Sequence, residues 1–382
     1  MDGEKMINIE RLTNEFAQQA AIASPSFKEA GMATYLRKRF ADLGATLKED
    51  NAGALIGSQS NNFIFSIPGT KPGEPLLLSG HMDTVGPAEG VKPVLENGLF
   101  RSAGNTILGA DDKAGLTEII EAIEVLREQQ IPHVPLEIVV TVCEEVGLLG
   151  AKHLDFSLIS AKRGIALDTT GVTHVIHKAP AANRFTVQIN GQEAHAGVVP
   201  ENGISSILIA ARAISRMQLG RIDEETTANI GIISGGQATN IIPRQTQLHG
   251  EVRSHNPQKL QEITQEIIAL IEEEVEKAQI TVDGRLIKAS MKLELRDEYP
   301  SMHVDLQADI LKLITGTAKA VDYHLEVKAA GGGSDANIFN AHGIQCVILG
   351  TGMNKVHSVE EEVRVEDLVQ ISRLLVEIIR RA

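Results

Sequence analysis

Cysteine is scarce in this chain of 382 residues: only Cys143 and Cys346 occur. Each lies inside an apolar, strand-like run, so buried inert thiols are expected instead of a disulfide. Long apolar runs are missing too. No stretch approaches the roughly 18 residues that cross a bilayer, and Met1-Asp2-Gly3-Glu4-Lys5 lacks the basic and then apolar layout of a secretory leader. Both shortages argue for a cytoplasmic protein. Basic charge is the third shortage: 36 Lys and Arg stand against 50 Asp and Glu, a net charge of −14. Nucleic acid and anionic membranes are therefore not expected as partners, whereas an acidic surface suits a protein that collects cations.

What remains is the composition of a folded protein, with 43% hydrophobic and 23% charged residues. A chain of this length exceeds what one core usually supports, so two domains are expected. Apolar residues at helical spacing predict a helix over 7–22, with Ile9, Leu12, Phe16 and Ala20, and another over 28–43, with Met32, Leu36 and Phe40 inward. Ser24-Pro25-Ser26 breaks the pattern between them. Strands follow over 62–67 and 75–80, then a hairpin over 92–101, a helix entered at Gly109-Ala110-Asp111-Asp112 and a β-branched strand over 136–143. Further strands are expected at 164–167 and 345–349, and a C-terminal helix carries Leu368, Ile371, Leu375 and Ile378 on one face. Between 179 and 297 the order becomes β-α-β-β-α-β, a ferredoxin-like α+β unit inserted into an α/β one formed by 1–178 and 298–382.

Chemistry gathers where strands end. His81 and Asp83 close the strand over 75–80, Glu144-Glu145 closes the one over 136–143, Asp168 closes 164–167, and His357 follows the strand over 345–349. Asp111 stands at a helix entrance. Side chains there face the crevice beyond the carboxyl edge of an α/β sheet, where ligands bind. Singly, each has an ordinary explanation: a solvated histidine, or an aspartate capping a helix. Five such places, four after successive strands and one at a helix entrance, have no ordinary joint explanation.

The same residues carry a family resemblance. Ser-Gly-His81-Met-Asp83-Thr-Val, Gly-Ala-Asp111-Asp-Lys-Ala-Gly, Glu144-Glu145-x-Gly, Asp168, Gln-Glu-Ala-His195-Ala-Gly, Asn240-Ile-Ile-Pro, Glu-x-Arg253, Gly333-Ser-Asp and His357-Ser fall in the order seen in the co-catalytic zinc exopeptidases and amidohydrolases. That family includes carboxypeptidase G, aminoacylase and peptidase T, and the chain most resembles the peptidase T subgroup. The resemblance implies a zinc-exopeptidase-like mixed sheet with flanking helices, and an inserted ferredoxin-like domain that acts as a lid and as a homodimer contact.

It also implies two Zn2+ ions per subunit, replaceable by Co2+ or Mn2+. Asp111 would bridge them, with His81 and Asp168 on one ion and Glu145 and His357 on the other. Asp83 would accept the second ring N–H of His81, and Glu144 would be the general base. His195, Asn240, Arg253 and Gly333 would line the substrate cleft: His195 on the scissile carbonyl, commonly at a neighbouring subunit's site, and Arg253 on a substrate carboxylate. Without the resemblance, His195 is a loop histidine, Arg253 a surface charge and the glycines a flexible turn. His133, His153, His249 and His303 are left as surface or core residues. The implied activity is hydrolysis of short peptides from the N-terminus. The alternatives are an amidohydrolase acting on N-acyl amino acids or related small amides, and a metal-binding or peptide-binding protein without turnover. A spare carboxylate at Glu144 speaks against the last, because a structural metal site has no use for a base.

Overall fold

The computed structural model describes residues 6–382. Leu136–Thr141, Leu76–His81, Arg163–Thr169 and Gln345–Gly350 lie side by side and parallel at the centre of a nine-stranded mixed sheet. Phe63–Ile67 and Thr46–Glu49 extend it antiparallel on one side, while His174–Ala179 and Met302–His303 extend it on the other. The central strands are apolar on both faces, as a sheet covered on both sides requires. Leu76 and Leu78 join the core beneath helices Ile9–Ala20, Ala110–Glu128 and Val365–Arg381, whereas Leu77 faces the opposite core with Ile64, Val139, Ala166 and Phe339. Cys143 and Cys346 are buried free thiols.

Two compact units divide the chain. One comprises the residues through Ala179 together with Met302–Ala330 and Ser334–Ala382; the other is Pro180–Ser301 with Gly331–Gly333. The second unit contains Ala181–Asn190, Ser206–Ile214, Thr226–Gly235, Gln245–Ser254, Pro257–Lys277 and Ser290–Tyr299 in strand-helix-strand-strand-helix-strand order. Within its antiparallel sheet the first strand lies between the third and the fourth, which is the ferredoxin-like arrangement expected. Its core is built by Phe185, Val187 and Ile189 from the first strand against Ile209, Ile267 and Ile271 from the helices.

Several local expectations give way. Leu12, Phe16 and Ala20 are buried in the first helix, but Ile9 is 50% exposed. Helical side chains lean toward the N-terminus, and at the first helical position Ile9 leans past the helix end. A separate four-stranded sheet, Pro93–Glu96, Leu99–Ser102, Glu362–Arg364 and Met353–Asn354, extends the expected hairpin with strands from the C-terminal region. A second hairpin, Gln279–Val282 with Arg285–Lys288, follows the long helix of the inserted unit. Among the described residues no helix is long and apolar enough to cross a membrane.

Candidate active site

His81 is the last residue of its strand, and its ring is almost wholly buried. Gly80, just before it, passes so close to Asp112 that a Cβ there would lie 2.4 Å from Asp112 Oδ2. His81 Nδ1 lies 2.9 Å from the Asp83 carbonyl oxygen. A carbonyl only accepts, so Nδ1 carries the proton and Nε2 is left with its lone pair or a second proton. Nε2 points at Asp111 Oδ1, 3.1 Å away, and at Asp168 Oδ1, 3.8 Å away.

The other oxygen of Asp111 faces a second histidine. His357 Nε2 lies 3.3 Å from Asp111 Oδ2 and 3.0 Å from Glu145 Oε2. Asp111 thus stands between two groups, His81 with Asp168 on one side and His357 with Glu145 on the other. Ligand atoms of His81, Asp111 and Glu145 lie within 4.8 Å of one another, close enough to surround an ion. Glu145 Oε1 is buried without a hydrogen-bond partner, a state that is costly unless something fills it.

The electrostatics of this crevice are those of too many carboxylates for the protons available. Burial pushes the Asp168 carboxyl up, with the His81 bond opposing, and burial likewise raises Glu145 against its bond to His357. Asp111 is buried, yet the two imidazoles outweigh burial and hold it below the usual carboxylate range. His357 is raised to about 10 by its bonds to Asp111 and then Glu145. Glu144 is driven well above the ordinary glutamate value by burial and then by the charge of Asp168. A pair of divalent cations would answer this excess of negative charge, and the mixed imidazole and carboxylate donors suit such ions.

Backbone geometry sets the two glutamates. The strand ends at Thr141, so Glu144 and Glu145 sit on a turn beyond it and not on alternate faces of a strand. Asp83 does more here than its expected part. Its carbonyl takes the His81 ring, while its carboxylate, 3.5 Å from Nδ1, accepts the N–H of Glu144 at 2.9 Å and that of Glu145 at 3.2 Å, and the Ser26 hydroxyl at 2.7 Å. Three unsaturated donors are a stronger claim on a buried carboxylate than a ring proton already bound.

Asp111 does not cap its helix. Gly109 is the cap residue, the Asp111–Asp112 peptide is cis, and neither aspartate has helical backbone angles. Glu361 holds the approach instead, accepting N–H groups of Leu108 at 2.8 Å, Gly109 at 2.7 Å and Asp111 at 3.0 Å. In the sequence Glu361 sits in a run of three glutamates, indistinguishable from a solvated surface. Asp335, the last residue of Gly333-Ser-Asp and given no role by the resemblance, is a further charge near the site. It is bonded by the Thr141 hydroxyl and pushed up to about 7, chiefly by burial.

In the inserted unit, His195 and Asn240 occupy exposed loops that run together: Ala196 N donates to Asn240 O at 2.9 Å, and His195 bridges Ile241. His195 Nδ1 accepts from Gly197 N. Arg253 already holds a carboxylate, its Nε and Nη2 bonding Glu251 at 2.9 and 3.1 Å. Gly333 N donates to the Tyr299 hydroxyl, and a Cβ at Gly333 would strike the Tyr299 ring at 2.4 Å, so glycine is required there.

One carboxylate facing two imidazoles at the carboxyl edge of the parallel strands, with further buried carboxylates around it, is a site of the kind a metallopeptidase requires. Comparison with known proteins agrees. Peptidase family M28 matches residues 62–181, and the Peptidase dimerisation domain matches residues 181–279. The Bacillus subtilis protein YqjE, itself uncharacterised, is 42% identical over 99% of this chain and 100% of its own length. Aminopeptidase PepT of Bacillus cereus superposes with a TM-score of 0.89 at 40% identity, covering 98% of this chain and 99% of that one. A tripeptidase of Staphylococcus aureus does so with 0.92 at 37% identity, covering 98% of each. The chain belongs to the peptidase T-like family of metallopeptidases.

Proposed function

We propose that the chain is a dinuclear aminopeptidase that removes N-terminal residues from short peptides, tripeptides among them, in the cytoplasm. The observation that carries this reading is Asp111, whose two oxygens face two different imidazoles, with Glu144 buried beside them and bonded to neither. His81 Nε2 and Asp168 would hold one zinc ion, Glu145 and His357 the other, with Asp111 shared. Bound there, two such ions lower the pKa of an attacking water and polarise the scissile carbonyl.

Glu144 takes the proton of that water and passes it to the leaving amine. Burial and the neighbouring Asp168 make its carboxylate more basic than a solvent-exposed glutamate. Asp83, through the backbone of residues 144 and 145, fixes the reach of that base. Arg253 Nη1 is left after Glu251 has taken Nε and Nη2, and it would meet a substrate carboxylate. His195 would meet a scissile carbonyl, in its own subunit's site or a neighbouring subunit's, and Asn240 and Gly333 would line the substrate cleft.

The inserted unit would also carry a homodimer contact. Ile207 and Leu208 on one helix, and Ile232 and Ile233 on strand Thr226–Gly235, are 41–58% exposed. Among the described residues the outer edge of that strand is paired only at its start, over Thr226, Thr227 and Ala228. An open edge with apolar neighbours suits a second copy.

Metal analysis of the purified protein, followed by a panel of di-, tri- and tetrapeptides against N-acyl amino acids, tests the reading. Near two ions per subunit and preference for peptides with a free amino end are expected. Preference for N-acyl amino acids would make the chain an amidohydrolase, and bound metal without turnover would make it a binder.

A further inference from the structure

Ser24-Pro25-Ser26 looks like a plain break between two helices, yet the loop it opens reaches the catalytic turn. Glu29, at the end of this loop, is fully buried and makes no cap bond to the helix Ala30–Asp42 that follows it. Its carboxylate turns elsewhere. Oε1 accepts the N–H of Phe27 at 2.9 Å, the N–H of Cys143 at 3.2 Å and the thiol of Cys143 at 3.1 Å, while Oε2 accepts the Ser58 hydroxyl at 2.7 Å. Three donors on one oxygen demand an acceptor that brings no proton of its own, which a carboxylate supplies.

We propose that Glu29 is a positioning residue of the peptidase reaction, setting the turn from which Glu144 and Glu145 project. Cys143 has φ 52 and Phe27 has φ 71, both left-handed conformations that side-chain-bearing residues avoid. Such conformations persist where surrounding bonds over-determine them, and they gather at active sites. At Cys143 the left-handed turn swings the chain off the strand, and the next two N–H groups then fall on Asp83. Three successive N–H groups, of residues 143, 144 and 145, are therefore held by two buried carboxylates. The Ser24–Glu29 loop joins those carboxylates. Ser26 donates to Asp83, and Ser24 O and Thr84 O exchange N–H groups with Thr84 and Ser26 at 2.9 and 3.3 Å. Releasing Cys143 would let the Glu144 carboxylate drift, and a misplacement of about 1 Å at a reacting group costs about 10²-fold in rate.

The inference rests on Glu144 being the base, and its test separates the two. Glu29→Ala, Glu29→Gln, Glu144→Gln and the double variant Glu29→Ala with Glu144→Gln are compared in the full chain by steady-state kinetics on a tripeptide at saturating zinc. Glu29→Ala is expected to lower kcat by about 10–100-fold with KM within about threefold, the split expected when only transition-state contacts are lost. Glu29→Gln keeps an acceptor toward Cys143 and should recover activity to within about threefold, since its amide can donate to Ser58. In the Glu144→Gln background the alanine change should add less than about threefold, because residues acting through one group are not additive. Unchanged kcat in Glu29→Ala, or the same loss in both backgrounds, overturns the inference. Full activity of Glu144→Gln alone overturns the base instead. Glu29 is then judged by zinc titration, where weaker binding of one ion in Glu29→Ala supports a set turn and unchanged binding refutes it. If the alanine variant does not fold, Glu29→Asp, which withdraws the carboxylate by one methylene, takes its place with the same expectations.

Discussion

The crevice around Asp111 and the inserted unit's loops use their residues in opposite ways. In the crevice most of the functional side chains are buried and braced, His81 by a carbonyl, Asp111 by Glu361, and Glu144 and Glu145 by Asp83, while His357 is half exposed. In the inserted unit, His195 and Asn240 lie in exposed loops fixed mainly through backbone bonds, and Arg253 is paired with a neighbour two residues away. Chemistry needs positions held to fractions of an ångström, whereas recognition of varied peptides tolerates looser groups. Damage in the crevice should therefore fall on turnover, and damage in the loops on substrate affinity.

The hardest test of that contrast is Asp111→Asn. It should abolish measurable turnover and release both ions, whereas His81→Ala should retain the ion held by Glu145 and His357. Metal analysis of the two variants checks this, and equal loss in both would break the proposed pairing. Next in size, Glu144→Gln should keep both ions and lower kcat by about 10²–10⁴, the usual worth of a positioned general base. A variant that loses an ion would exchange the roles of Glu144 and Glu145. In the inserted unit, Arg253→Ala should raise KM by about 10–100-fold for peptides with a free carboxylate, reflecting about 1.5–3 kcal/mol for a charge-assisted bond, and leave kcat nearly unchanged. A fall in kcat instead would put Arg253 among the braces of the reaction. The smallest effect belongs to the double change Ile232→Asp with Ile233→Asp. It should convert a dimer to a monomer in light scattering with little change in thermal stability, since both side chains are already half exposed.

The same contrast explains how much of the molecule is readable from its sequence. His81, Asp111, Glu144-Glu145 and Asp168 announce themselves because each closes a local apolar strand or opens a helix, so a few neighbouring residues suffice to see them. The ferredoxin-like order is readable for the same reason. The braces are not. Glu361 and Glu29 act on backbone N–H groups 250 and 114 residues away in the chain, and nothing local separates them from surface carboxylates. The resemblance gives Asp83 only to the His81 ring, whereas its carboxylate also holds the backbone of residues 144 and 145, about 60 positions on. Ile9 has the right helical phase and fails only because the helix has no earlier turn for it to cover.

One feature of the main sheet bears on how the protein is made. Gln345–Gly350 lies between Arg163–Thr169 and His174–Ala179, two strands that are near neighbours along the chain. During synthesis those two emerge together, while the strand that separates them, and His357 after it, appear much later. Until then their apolar edges have no partner, and unpaired edges of this kind invite association with other chains. A chain truncated before residue 345 leaves both edges open and should be recovered from cells as aggregate and not as a soluble fragment.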